Sequence, residues 1–205
     1  MSEAKPPART PPAPKRRADA ERSIAAILDA AVDALASDPD ASMAEIARRA
    51  GVVRATTYVH FPTRDALLDA VMDYTIADVA ATVKAAEPDV GEPAEALVRL
   101  LRATWRKLDR LHSIIAINEA RLSAEDFHQR HRPVVSAIAP LIVRGQKAGA
   151  FRADLPTAWH LSMLLAIVHA ASREVQNGRI GDSQVEDAML STVLRALGTA
   201  DSPRA

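Results

Sequence analysis

From Arg22 onward, apolar positions recur at helical spacing almost without interruption. Ile24, Ile27, Leu28, Ala31 and Leu35 share one stripe, the signature of an amphipathic helix. The segment Ser37-Asp38-Pro39-Asp40 stops that helix. Ser42-Met43-Ala44-Glu45 then has the form of a capping box. In such a box the serine hydroxyl accepts from the backbone three residues on, while the glutamate reaches back. It predicts a short second helix, ended by Gly51. A third helix is expected from about Arg54 to Phe61, where Pro62 forbids an easy continuation. Thr63 caps a fourth, carrying Leu67, Leu68, Val71 and Ile76. Pro93 suits the first turn of a fifth, with Leu97, Leu100, Leu101, Thr104, Leu108 and Leu111 on its stripe. A sixth covers about Ser113–Leu122. Ser123 caps a seventh that reaches Gly149, kinked or interrupted at Pro133 and Pro140. Pro156 opens an eighth, closed by Gly178, and Ser183-Gln184-Val185-Glu186 opens a ninth, closed by Gly198. No period-two strand pattern occurs. The expectation is an all-α chain of about nine helices.

Between Ala44 and Leu68 the pattern changes character. Ile46, Ala47, Ala50 and Val52 are small or aliphatic and fall where two short helices must touch, with Gly51 allowing the sharp turn. This is helix-turn-helix spacing, which presents the second helix to the DNA major groove. On that helix Arg54 and Tyr58 share one stripe, Thr56 and His60 a second, and Thr57 and Phe61 a third, assigned to the core. The polar stripes offer donors suited to phosphates and base edges.

Composition narrows the reading. Among 205 residues there are 26 basic and 26 acidic side chains, so only local charge argues for nucleic acid. Nearly half of the residues are apolar but only 3% are aromatic, which makes the core aliphatic. There is no cysteine, excluding thiolate metal sites and cysteine nucleophiles. Residues 1–19 are rich in proline and basic groups and read as a disordered arm. Lys15, Arg16 and Arg17 stand at its end. No signal peptide is visible and no apolar run spans a bilayer, so a cytoplasmic protein without a membrane partner is expected.

The stretch Ile27–Val71 resembles the N-terminal domain of TetR/AcrR-type transcriptional regulators. The resemblance rests on Ile46-Ala47, Ala50-Gly51-Val52, Arg54, Thr56, Tyr58, His60-Phe61-Pro62 and Ala66-Leu67-Leu68. It implies a DNA-binding domain over 20–68 and a helical ligand-binding and dimerisation domain over 69–205. It implies a double-stranded operator, a small-molecule effector and a homodimer as partners, with no enzyme activity, cofactor or metal. By the same resemblance Arg54, Ala55 and Tyr58 face the groove. Thr56, Tyr58, His60 and Arg64 meet phosphates, and Ser42 adds a further contact. Arg16 and Arg17 would carry the arm into an adjacent minor groove. Three departures stand out: Val53 replaces the usual serine cap, Val59 a larger polar residue, and Thr57 a leucine or valine.

The rest of the chain shows no Gly-rich phosphate loop, nucleophile elbow or paired catalytic carboxylates. His128 and His131 are three apart and read as a solvated or ligand-contacting face sooner than as a metal pair; His169 reads as a buried histidine bonded to a neighbour. A ligand pocket is expected among Tyr74, Trp105, Asn118, Arg121, Phe127, His128, Trp159 and Met163. A dimer interface is expected along Leu161, Leu164, Leu165 and Val168 of the eighth helix and Val185, Ala188, Met189 and Leu197 of the ninth. The expected function is a repressor released from a palindromic operator by a largely apolar ligand. The alternative is a helical carrier or interaction protein without DNA binding, and loss of DNA binding in a folded Tyr58 variant separates the two.

Overall fold

The computed structural model describes residues 14–198, where every regular element is a helix. In chain order these are α1 Pro14–Ser37, α2 Met43–Arg49, α3 Arg54–His60, α4 Arg64–Ala85, α5 Pro93–Arg110, α6 His112–Arg121, α7 Ala124–Arg130, α8 Arg132–Lys147, α9 Thr157–Gln176 and α10 Asp182–Leu197. The first three form a helix-turn-helix domain, and the others a larger helical domain.

Three boundaries differ from the sequence expectation. The first helix begins at Pro14, inside the stretch expected as an arm; proline's fixed φ suits a first helical turn. Residues 1–13 and the side chains of Lys15, Arg16 and Arg17 lie outside the described residues. The expected seventh helix is two helices, α7 and α8, which makes ten among the described residues. His131 ends α7, and Pro133 falls in the first turn of α8, where its missing donor costs nothing. Pro140 does not break α8. It stands on the exposed face, where the carbonyl one turn earlier can turn to water. At α10 the cap position is Gly181 and no side chain bonds there.

Helix α4 joins the two parts. It packs on α1, and also on α5, α6 and α8. Its apolar residues Leu67, Leu68, Val71, Met72, Ile76, Val79 and Val83 are all buried, within one continuous core that runs from Ile27 and Leu35 to Val193 and Leu197. Elsewhere α8 receives the ring of Phe151, itself only 2% exposed. A Cβ at Gly145 would lie 2.0 Å from that ring, so only glycine fits the contact.

The stripes expected to form a dimer interface face inward. Leu161, Leu164, Val168, Val185, Met189 and Leu197 are buried within the single chain, and Leu165 is half-buried. Only Ala188 is exposed. The periodicity had located the side of each helix that packs against its own subunit. The outward side of α9 carries Trp159, Ser162 and Ala166, and that of α10 carries Ala188 and Ser191.

Candidate functional site

The short helices α2 and α3 are built by local chemistry. Ser42 Oγ accepts from the Glu45 backbone N–H at 3.2 Å, as the capping box predicts. The reciprocal half is absent: the Glu45 carboxylate instead accepts from Arg48 at 2.7 and 2.9 Å and from Arg49 at 2.8 Å. Bonds from Arg48 and then Arg49 hold its carboxyl down at about 2. Two cations beside one carboxylate outcompete a single backbone amide, so much of the positive charge of α2 is neutralised. Gly51 turns the chain at φ +68°, in the left-handed region. Val53 stands at the cap of α3 and provides no side-chain bond.

Helix α3 is anchored by Thr57 and Phe61, which are 0% and 7% exposed. Its other face is open. Arg54, Ala55 and Tyr58 are exposed, and Thr56 and His60 are half-buried. The Arg54 guanidinium lies over the Tyr58 ring, 5.4 Å from its centroid, and donates to the phenol oxygen at 3.3 Å. This pairing holds both side chains on one side of the helix. Ser42, Arg54, Tyr58 and Arg64 line a common surface hollow. Arg64, however, has carbonyl partners already: its guanidinium donates to Ala41 O and, at 2.7 Å, to Pro39 O. It ties the loop between α1 and α2 to the start of α4. That start is capped by Thr63, whose hydroxyl accepts from Ala66 N at 3.0 Å.

A cavity of about 70 Å³ lies between α4, α5, α6, α8 and α9. Its wall is aliphatic apart from Thr75, Thr104, His131 and His169. None of the eight pocket residues expected from sequence lines it. Tyr74 points to α1, where its hydroxyl donates to Asp29 at 2.5 Å. Trp105 is buried in the core beside the cavity, and Trp159 is 59% exposed on the outside of α9. Asn118 is buried and donates to Ile114 O at 2.8 Å. His128 is exposed and bonded to Ala124 O at 2.6 Å. Met163 is half-buried. Phe127 stands one layer behind the cavity, its ring 4.2 Å from that of His131 and 5.6 Å from that of His169.

His128 and His131, paired on sequence spacing, therefore face different surroundings. His169 is buried, with Nδ1 3.4 Å from Glu119 Oε1. Sequence reasoning had missed the two histidines as cavity residues. The available signal was a histidine embedded in the apolar run 161–171.

Arg121 and Arg130 fasten α4 to α6 and α7. Arg121 donates to Asp69 at 2.6 Å. Arg130 lies 3.1 Å from Asp69 and 2.8 Å from Asp73. Arg130 is the last residue of α7, and His131, which lines the cavity, follows it directly.

Comparison with known proteins agrees with this arrangement. Residues 27–71 match the family model described as bacterial regulatory proteins, tetR family. Over 168 residues the chain is 29% identical to the HTH-type transcriptional regulator NfxB of Pseudomonas aeruginosa, covering 80% of this chain and 86% of that one. It is 26% identical to the HTH-type transcriptional repressor LfrR of Mycolicibacterium smegmatis, over 87% of this chain and 92% of the relative. The crystal structure of LfrR in complex with proflavine superposes with a TM-score of 0.70 at 25% identity, covering 87% of this chain and 98% of that one. A buried helix-turn-helix core, an exposed polar face on α3 and matches to regulators over 80–87% of the chain lead to one conclusion: residues 27–71 form a DNA-binding domain of the tetR-family type, and the chain is similar to TetR-type transcriptional regulators along most of its length.

Proposed function

We propose that this regulator is a homodimeric repressor, released from a roughly palindromic operator by a small, largely apolar ligand. In this reading residues 20–68 bind DNA and residues 69–205 bind the ligand and the second subunit. Arg54, Ala55 and Tyr58 enter the major groove. Thr56, His60 and Ser42 meet phosphates, with Arg64 positioning the domain, and Arg16 and Arg17 add charge at the N-terminal end. The dimer forms through the outward faces of α9 and α10, where Ser162, Ala166, Ala188 and Ser191 allow close helix approach around Trp159.

The observation that carries the reading is the double role of α4. It follows α3 after three residues, and its Thr75, Ile76, Val79 and Val83 line the cavity. Pockets that enclose drug-sized ligands run to about 300–1,000 Å³, so a ligand must push apart the walls of a 70 Å³ cavity. One of those walls carries the recognition helix. A ligand that fits only the widened state shifts the population toward it. A coupling of about 1–3 kcal/mol weakens DNA binding roughly 5–150-fold. The relative LfrR, crystallised with proflavine, supports a small-molecule effector.

The test is a footprint of the purified protein on promoter DNA, starting with its own upstream region, followed by titration of stabilising ligands with and without that DNA. A protected palindrome and reciprocal weakening are expected. Light scattering that shows a monomer at micromolar concentration refutes the dimer. Equal ligand affinity with and without operator refutes the switch.

A further inference from the structure

The polar groups of the cavity share one property: as placed, all are acceptors. Thr75 donates its hydroxyl hydrogen to Met72 O at 3.0 Å, and Thr104 donates to Leu100 O at 2.9 Å. Both hydroxyls therefore have only lone pairs left to offer. His131 holds Phe127 O at 2.8 Å through Nδ1. That bond puts the ring hydrogen on Nδ1 and leaves Nε2 with its lone pair. His169 turns Nδ1 toward the Glu119 carboxylate at 3.4 Å, which favours the same tautomer. Neither Nε2 has a hydrogen-bond partner among the described residues. The two rings meet edge to face, 5.6 Å between centroids, so the two imidazoles sit side by side in the cavity wall. Among the described residues, no lysine or arginine lines the wall.

Burial keeps both imidazoles uncharged near neutral pH. It pushes His131 below its ordinary value and His169 down to about 4. Neutral rings with Nδ1 already engaged can only accept.

We propose that the cavity selects apolar molecules that carry an N–H or O–H donor, received by His131 and His169, and rejects carboxylates of the same shape. The proposal rests on the cavity being the effector site. A donor supplies a bond to an acceptor that has none, a gain that translates to at most about tenfold in affinity for one neutral pair. A carboxylate gives up its hydration and finds neither a donor nor a cation, with Glu119 adding like charge behind His169.

The experiment uses the full chain and three probes of one shape: 2-naphthol, its donor-blocked form 2-methoxynaphthalene, and 2-naphthoate. Calorimetry at neutral pH is expected to show 2-naphthol binding up to about tenfold tighter than 2-methoxynaphthalene, with 2-naphthoate weakest. His169→Phe and His131→Phe should narrow the first ratio while leaving 2-methoxynaphthalene affinity largely unchanged. Ile138→Phe, which fills the cavity, should weaken all three. If a histidine variant fails to fold, the series on the natural chain still decides. Equal binding of 2-naphthol and 2-methoxynaphthalene, or tight binding of 2-naphthoate, overturns the selectivity and leaves the effector site standing. No binding by any probe, or binding untouched by Ile138→Phe, overturns both.

Discussion

Thr57→Val should stabilise the DNA-binding domain without changing what it binds. Thr57 has no exposed surface, and its Oγ1 is buried without a hydrogen-bond partner. A threonine inside a helix ordinarily bonds back to the carbonyl four residues earlier. Here the Thr57 hydroxyl makes no such bond to Val53 O. An unmade buried bond costs about 1–3 kcal/mol, whereas an apolar group of the same shape removes the cost. Valine has the same branched outline and a similar helix propensity. The net gain is about 1–2 kcal/mol, which for a chain of this size raises Tm by roughly 2–8 °C. Thermal denaturation followed by circular dichroism measures it. Fluorescence anisotropy on operator DNA should show unchanged affinity, because the side chain faces the core and not the groove. An unchanged or lowered Tm refutes the argument, since the hydroxyl would then have a partner worth keeping.

Four other outcomes follow from named contacts. Tyr58→Ala and His60→Ala should each weaken operator binding while thermal unfolding stays nearly unchanged; a matching loss of stability would show that these side chains serve the fold. Gly145→Ala should destabilise by about 1–3 kcal/mol, because its methyl overlaps the buried Phe151 ring, and Phe151→Leu in the same chain should recover part of the loss in Tm. Asp69→Asn should leave stability almost untouched, as partly exposed ion pairs contribute about 0–1 kcal/mol, yet reduce the effect of ligand on DNA affinity; full coupling in this variant excludes the link from Arg121 and Arg130 to α4. Burial, and then His131 and Arg173 nearby, push His169 down to about 4, below its unfolded value, with the Glu119 carboxylate facing it, so the unfolded chain takes up the proton first. Its penalty is absent above about pH 6.5 and grows to at most about 3 kcal/mol as pH falls to about 4, and urea unfolding of His169→Gln over that range should show a shallower decline than the natural chain.

The helix-turn-helix was legible because every signal that defines it is local. Ser42 and Thr63 cap the helices that immediately follow them, Gly51 takes the one conformation its turn requires, and the buried pair Thr57 and Phe61 lies one turn apart. Where a side chain had a choice of partners, spacing misled. Glu45 lies at the capping-box position, but Arg48 and Arg49 on the next turn compete for it, and a charge-assisted bidentate contact wins. The break at His131 was half visible. Pro133 and Pro140 look alike in the sequence, yet one begins a helix and the other rides its exposed face, and that difference depends on what packs against α8.

The larger domain shows what a hydropathy stripe can and cannot report. Leu161, Leu164 and Val168 announce that one face of α9 is buried, but a period of 3.6 is the same whether the covering surface belongs to this subunit or to another. The faces left outward on α9 and α10 include Ser162, Ala166, Ala188 and Ser191, small residues that carry almost no hydropathy signal. Cavity walls have the same difficulty in reverse. Val79, Leu100 and Val168 look like ordinary core residues because they are core residues, and the void between them arises only from how five helices fail to close. Aromatic residues were the natural sequence-level guess for a ligand surface, yet Trp105 went to the core and Trp159 to the exterior. The polar markers were His131 and His169, 38 positions apart by residue number and joined only by the fold. A motif that works through neighbours in sequence can be read from the sequence; a cavity assembled from α4, α5, α6, α8 and α9 becomes readable only when a polar group stands where an aliphatic one would have packed equally well.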